Sequence, residues 1–225
     1  VKDVNLLADV IREAFFIAND GRKGPVLIDI PKDITAAKCE FEHKPLEGHS
    51  FNLDRNQLYS AVEIIKSAKK PFIYAGGGVV SSDAVSQLKK FAELLDAPVS
   101  LSLMGQCAFD NTDERYTGML GMHGTKASAQ ALINSDVMVV VGSRFSDRVT
   151  CNTKSFENNT KNTKIVHIEI DPAEIGKNVG VDAYISGDAG FVLTELNKLI
   201  PQQSHPEWMA QVKEWKAQYP LCQRS

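Results

Sequence analysis

The sequence predicts an α/β fold with a doubly wound, mostly parallel sheet of the Rossmann-like type, preceded by a helix-strand remnant of another domain. Runs such as "DVMVVVG" and "KIVHIEI" are apolar nearly throughout, as strands are when helices cover both sheet faces. From about residue 51 onward, such runs alternate with helical patterns, which is typical of parallel sheets. Glycine-bearing loops follow the strands, where open parallel sheets bind ligands.

The first elements predict the end of an upstream domain. Apolar residues recur there at helical spacing, namely Val4, Leu7, Ile11, Phe15 and Ala18. Gly21 can end this helix, and "PVLIDIP" at 25–31 predicts a buried strand. One helix and one strand cannot enclose a core. We therefore expect residues 1–34 to close a preceding domain, residues 35–50 to form a linker, and the chain to be a fragment.

The regular pattern then predicts a central domain over residues 51–201. Helices are predicted at about 54–68, 82–95, 125–134 and 189–199, and strands at 71–75, 98–101, 136–141, 164–170 and 183–185. Ser81 or Ser82 could cap the second of these helices. Beyond Pro201, Trp208, Val212 and Trp215 share one helical stripe, which predicts that residues 202–225 form a linker helix toward a further domain.

Composition excludes several classes of function. The formal charge of the 225 residues is -3 and the basic residues are scattered, so a nucleic-acid partner is not expected. No apolar run approaches the roughly 18 residues of a membrane span. The four cysteines, Cys39, Cys107, Cys151 and Cys222, form no C-x-x-C pair. They predict buried or idle thiols rather than a zinc site or a disulfide framework.

The loops after the strands predict an elongated ligand that contains a pyrophosphate. Gly76-Gly77-Gly78 follows the first strand, "LGMHGT" (120–125) precedes a helix, and "GSRFSDRVT" (142–150) carries Arg144 and Arg148. Glycine loops supply backbone amides, and a guanidinium offers a forked donor for phosphate oxygens. No acid ends a strand about twenty residues after the triplet, as an NAD site requires. FAD or an ADP-like ligand is therefore preferred to NAD.

Ordinary structural roles remain open for each feature taken alone. The triplet can be a tight turn, Arg144 and Arg148 can pair with Asp147 on the surface, and Glu169 can be solvated. His123 has no neighbouring His or Cys at ligand spacing, so no metal site is expected. The stretch "SGDAG" (186–190) lacks the later asparagine pair of a diphosphate and magnesium motif.

Together these segments resemble the large catalytic subunit of acetohydroxyacid synthase (acetolactate synthase), a thiamine-diphosphate-dependent family. The likeness spans "EAFFIANDGRKGPVLIDIPKDI", "YAGGGV", "LMGQ", "GMLGMHGT", "GSRFSDRVT", "IVHIEIDPAEIGKN" and Gly187-Asp188. It implies three domains, which bind pyrimidine, FAD and diphosphate in turn. This chain would supply the end of the first and all of the second. It would hold none of the catalytic thiamine or magnesium sites and would be inactive alone.

The resemblance also implies an activity and partners. The full enzyme would decarboxylate pyruvate and join the two-carbon unit to pyruvate or 2-ketobutyrate, in branched-chain amino-acid biosynthesis. FAD would do no net redox work in it. Thiamine diphosphate and magnesium would bind outside this chain, and the enzyme would form a homodimer or tetramer with a small regulatory subunit. It would be cytoplasmic in a bacterium, and in a plastid or mitochondrion in a eukaryote.

Site residues follow from the matching positions of the family. The implied FAD contacts are Arg22, Gly77, Ser102, Leu103, Leu120, Gly121, Met122, His123, Gly142, Ser143, Arg144, Phe145, Ser146, Glu169, Ile170, Asp188 and Ala189. Arg148 matches the arginine for the carboxylate of the second keto acid, and Lys32 matches a lysine of the substrate channel. Ser146 stands where many relatives have aspartate.

Two other hypotheses stay open. The chain could be the middle domain of pyruvate oxidase, glyoxylate carboligase or a decarboxylase without flavin; Arg148 and the "LGMHGT" loop favour the synthase. It could also be a stand-alone NAD-binding module of the deoxyhypusine-synthase type, which the N-terminal helix and strand argue against.

Overall fold

The chain divides into two units, Val1–Phe51 and Asn52–Ser225, in a computed structural model that describes residues 1–45 and 52–220. The domain and linker boundaries expected from the sequence stay predictions. Residues 46–50 of the predicted linker lie outside the described residues.

The first unit is helical in its described part. Helix α1 spans Leu7–Asn19 and α2 spans Lys32–Ala36. Helix α1 ends just before Gly21, whose φ of 51° suits glycine. The strand predicted at 25–31 is wrong: the described residues of this unit contain no strand, and Leu27 is 89% exposed. An extended segment becomes a strand only when its amides and carbonyls find a paired neighbour.

The second unit is built on a six-stranded sheet in which every neighbouring pair is parallel. The strands are β1 Pro71–Ala75, β2 Val99–Leu101, β3 Tyr116–Met119, β4 Val137–Val141, β5 Lys164–Glu169 and β6 Ala183–Ser186. Their order is β3-β2-β1-β4-β5-β6. From β1 the chain adds strands toward one edge, as far as β3, and from β4 it adds them toward the other edge, as far as β6. The order of the strands therefore reverses between β1 and β4, the position at which doubly wound sheets open a ligand crevice.

Helices cover both faces of the sheet, which confirms the predicted fold class. In chain order they are α3 Arg55–Lys66, α4 Gly77–Ser81, α5 Val85–Leu95, α6 Lys126–Asn134, α7 Asp147–Thr150, α8 Thr153–Asn159, α9 Ala189–Leu199 and α10 Pro206–Gln218. Alternate strand residues enter two separate cores. Ile73 and Val139 pack on the side of α3, α5 and α9, whereas Tyr74 and Val140 face the side of α6, α8 and α10.

The stripe predicted on the last helix is confirmed. Trp208 and Val212 of α10 are buried, and Trp215 packs against the same core. The Trp208 indole donates a hydrogen bond to the Pro71 carbonyl oxygen at 2.9 Å. This bond anchors α10 at the start of the central strand.

Several local predictions were wrong or incomplete. Strand β3 and the short helices α4, α7 and α8 were not predicted, because segments of four to seven residues carry little periodic signal. Neither Ser81 nor Ser82 caps α5; its N-cap position is Ala84, which makes no side-chain cap. Ser81 instead ends α4, and Ser82 is the C-cap residue of that helix.

Two further expectations concern the cysteines and membrane-spanning segments. Cys39, Cys107 and Cys151 are free and exposed, so that of the two alternatives expected, buried or idle thiols, the buried one is wrong for these three. Cys222 lies outside the described residues. Within the described residues, the helices are too short or too polar to cross a membrane.

Candidate dinucleotide site at the sheet edge

The glycine triplet packs against the loop after β4 rather than standing bare. A Cβ at Gly76 would lie 2.3 Å from the Gly142 carbonyl oxygen, and one at Gly78 would lie 2.6 Å from the Gly142 Cα. Gly77 differs, since the nearest neighbour of a Cβ at this position would be the Met104 Cβ at 3.1 Å. Two glycines of the triplet therefore allow β1 and β4 to approach each other, and Gly77 instead lies beside Met104 of the loop after β2.

Most loop amides that were expected to be free are already engaged. The amides of Gly76 and Gly78 donate to the carbonyls of Val141 and Gly142, at 2.9 Å each. In the "LGMHGT" loop, Leu120, Met122 and Gly124 donate to backbone carbonyls at 2.8 to 3.0 Å. These bonds connect the loops after β1, β3 and β4, and we call the row of loops at this edge of the sheet the rim. They also reduce the number of amides that remain for a ligand, so that hydroxyl, guanidinium and carboxylate side chains become candidates beside them.

The loop after β4 is held from below by two side chains. His167 is fully buried on β5, and its Nε2 lies 3.0 Å from the Ser143 carbonyl oxygen. A carbonyl can only accept, so Nε2 carries the proton. Asn178 donates to the Phe145 carbonyl oxygen at 2.7 Å. Burial lowers the pKa of His167, partly offset by its bond to Ser143, so the imidazole is neutral near pH 7.

Glu169 at the end of β5 is buried, not solvated. It is 6% exposed, and its Oε1 accepts from the amides of Ile170 and Asp171 at 3.0 and 3.3 Å. Its backbone carbonyl oxygen accepts from Gly187 at 3.0 Å, next to Asp188, which caps α9. Burial raises the pKa of Glu169 against the opposing effect of these amides. A partly desolvated carboxylate at a sheet edge is a strong acceptor for hydroxyl groups of a ligand.

Replacing Glu169 with glutamine tests this burial. A folded-state pKa above the ordinary one means that the protonated side chain favours folding at low pH, and that this contribution is lost as pH rises through the folded-state pKa. Above that pH, Glu169→Gln should therefore be more stable than wild type, with Tm higher by up to about 4 °C. The difference should vanish below about pH 4.

Thermal unfolding followed by circular dichroism across pH measures this effect. Glu157→Gln, at an exposed position of α8, is the matched control and should leave Tm unchanged at every pH. A lower Tm for Glu169→Gln at neutral pH would show that the charged form is stabilised instead.

Arg148 lies where two rim loops meet. Its carbonyl oxygen accepts from the Met122 amide at 2.8 Å, and a Cβ at Gly121 would lie 2.4 Å from that same oxygen. Its guanidinium is exposed, 3.9 Å from Asp147 and 3.8 Å from the Met122 sulfur. A surface pair at such a distance contributes little. The guanidinium therefore remains available to a carboxylate.

The remaining predicted residues divide by unit and by exposure. Those of the second unit follow the carboxyl ends of the strands at one edge of the sheet, as predicted. Leu103, Met122, His123 and Arg144 are exposed, whereas Leu120, Phe145 and Ala189 are buried, so that the latter would meet a ligand mainly through backbone atoms. Arg22 and Lys32 belong to the first unit, and their roles stay predictions.

Two buried residues of this region were not predicted from the sequence, His167 and Tyr74. Both lie inside apolar strands, so the sequence pattern indicates only that they belong to the core and not that they have a polar function. The signal that was available is their polarity at buried strand positions, since such groups require partners. Within the described residues, no group of three or more His, Cys, Asp and Glu could hold a metal ion.

Comparison with known proteins assigns the chain. Residues 58–196 match the family described as "Thiamine pyrophosphate enzyme, central domain". This chain belongs to that family. The match covers β1 to β6 and thus every loop of the rim in this central domain.

Two relatives and one solved structure extend the comparison. The central-domain chain is 41% identical over 223 residues to the acetolactate synthase of Mycobacterium bovis, across 94% of this chain and 36% of that one. It is 39% identical over 234 residues to the acetolactate synthase large subunit of Parasynechococcus marenigrum, across 98% and 37%. A structure from Mycobacterium smegmatis, described as a thiamin diphosphate-dependent enzyme, superposes with a TM-score of 0.70 at 25% identity, over 91% and 39%. The chain thus spans little more than a third of these relatives.

Proposed function

We propose that this chain is the central part of an acetolactate synthase large subunit and that its sheet edge holds FAD. The proposal is carried by the junction of β1 and β4, where Gly76 and Gly78 pack against Gly142 and Gly77 lies beside Met104, at the position where doubly wound sheets bind ligands. Its support is the family of the chain and the identity of 39 to 41% to acetolactate synthases along nearly its whole length.

The residues at the edge fit a flavin dinucleotide. A side chain at Gly77 would fill the space beside Met104, and Arg144 presents an exposed guanidinium that suits phosphate oxygens. Glu169 would accept from ribose hydroxyls at the other end of the rim. Between them, the Tyr74 hydroxyl is buried and has no hydrogen-bond partner among the described residues.

The central part would contribute binding and orientation to the condensation of two 2-keto acids. Bound FAD would take no net electrons in that reaction, and thiamine diphosphate with magnesium would bind to other parts of the enzyme. Arg148 would hold the carboxylate of the second keto acid, with pyruvate or 2-ketobutyrate as candidates, and Lys32 would line their path. The complete enzyme would form a homodimer or tetramer and would bind a small regulatory subunit.

NAD is a poorer fit. In NAD-binding sheets of this strand order, an acid at the end of β2 binds the ribose. Here Ser102 follows β2, and its hydroxyl accepts from the Gly105 amide at 3.1 Å. The acid of this site, Glu169, instead ends β5.

Calorimetric titration of the complete gene product with FAD and with NAD tests the cofactor. We expect FAD to bind, NAD to leave the FAD isotherm unchanged, and the 225-residue chain alone to bind FAD weakly or not at all, because the flavin would also touch neighbouring domains. A clear preference for NAD would reject the flavin proposal.

The reaction needs a separate test. In the complete gene product, pyruvate added without oxygen should yield acetolactate while the flavin spectrum stays oxidised. Bleaching of the flavin by pyruvate would favour an oxidase instead.

A further inference from the structure

The Tyr74 hydroxyl is fully buried and makes no hydrogen bond within the part of the chain that the structure describes. In the sheet register, Tyr74 lies opposite Ser100 of β2 and Val140 of β4. All three point to the same face because paired residues of neighbouring strands share a side. Ser102 and Ser143 lie just beyond those partners, on either side of the tyrosine.

The surroundings of this hydroxyl are polar on the crevice side. Burial raises the pKa of Tyr74, and hydrogen-bonding contact with the side chains of Ser143 and Ser102 lowers it in part. Neither contact has the distance and angles of a full hydrogen bond to the phenol oxygen, so both serines are near neighbours rather than settled partners. A buried hydroxyl without a partner costs about 1–3 kcal/mol, so a phenylalanine would serve the apolar core of this face better.

Ser143 connects the tyrosine to the crevice. Its Cβ would be 2.5 Å from a Cβ placed on Gly76, which puts it directly against the start of the glycine triplet. The main chain of Ser143 is fixed by His167 below it. The Ser143 side chain is therefore close both to the glycine triplet and to the buried Tyr74 hydroxyl, whose pKa it lowers.

We propose that Tyr74 is a positioning residue for the dinucleotide. Its hydroxyl donates a hydrogen bond to the Ser143 hydroxyl oxygen, and this bond orients the Ser143 hydroxyl so that it donates to a phosphate oxygen. The inference rests on the proposed FAD site. Since the nearby amides of Gly76 and Gly78 are engaged with the loop after β4, the Ser143 hydroxyl is a further donor that this part of the crevice can offer a phosphate. Ligand binding would complete this chain of two hydrogen bonds.

Tyr74→Phe in the complete gene product tests the proposal, with FAD affinity and the Tm of the FAD-free protein as separate readouts. FAD affinity should fall by roughly three- to ten-fold, the equivalent of one hydrogen bond. The Tm of the FAD-free protein should stay the same or rise, because an unsatisfied hydroxyl is removed. A merely structural tyrosine would not give these opposite signs. Tyr184→Phe, at an exposed position of β6, is the matched control and should change neither.

A double-mutant cycle with Ser143→Ala tests the route. If Tyr74 acts through Ser143, then Tyr74→Phe should have no further effect on FAD affinity in the Ser143→Ala background. Unchanged affinity in Tyr74→Phe, a lower Tm without FAD, or an equal loss in both backgrounds would each overturn the inference. A wild-type product that binds no FAD would instead reject the proposed function together with this inference.

Discussion

Gly142→Ala should lower the free energy of unfolding of the second unit by about 2–5 kcal/mol and abolish FAD binding. Gly142 has a φ of 55°, where alanine costs about 1–2 kcal/mol. Its new Cβ would also lie 2.7 Å from the Gly78 Cα and 2.9 Å from the Gly78 carbonyl carbon. Both neighbours are backbone atoms, so the two loops must move apart, at a further cost of about 1–3 kcal/mol.

Two other glycines are controls that separate the cost of backbone strain from the cost of steric overlap. Gly176 has a φ of 70° with no atom within 4 Å of the place that a Cβ would occupy, and Gly180 has open space without a positive φ. Gly176→Ala should therefore cost about 1–2 kcal/mol, and Gly180→Ala almost nothing. Urea unfolding followed by the fluorescence of Trp208 and Trp215 reports on this unit. If Gly142→Ala is no less stable than Gly176→Ala, the loops after β1 and β4 do not approach each other as closely as the distances indicate.

Arg148→Ala should lower kcat/KM for the second keto acid by about 10- to 150-fold, the equivalent of a lost charge-assisted hydrogen-bond pair. The FAD content of the enzyme should not change. This is the result expected from the proposed role of Arg148, and its guanidinium is exposed and only weakly engaged by Asp147 and Met122. Arg148→Lys should restore little, because a carboxylate is gripped by the planar fork of arginine.

Arg144→Ala is the matched contrast, on the same loop and also exposed. We expect it to reduce FAD affinity and to affect the keto acid only as far as FAD is lost. Steady-state kinetics with varied acceptor, at saturating FAD, separate the two arginines. Acceptor kinetics of Arg148→Ala that match wild type would remove the role proposed for this residue.

The sequence was a good guide to the frame of the site. Strands β1 and β4 were predicted within one residue of their observed bounds, because a fully buried strand is a local apolar run. The loops that follow the strands were likewise expected at one edge, since all strands of a parallel sheet end on the same side. The segment at 25–31 failed for the complementary reason: it has the composition of a strand, but pairing depends on a neighbour that no local pattern reveals.

The sequence by itself determined the fold class, the family and the edge at which the candidate site lies, because apolar period and motif are properties of short segments. Only the tertiary structure decided what each group at that edge is free to do. Gly76 bonds to Val141 and Met122 to Arg148, contacts between segments far apart in the chain, and these bonds use up amides that looked available. The same packing buries Glu169 and leaves Tyr74 without a partner. Steric approach and hydrogen-bond satisfaction are set by atoms that meet only after folding, so no local pattern could show them.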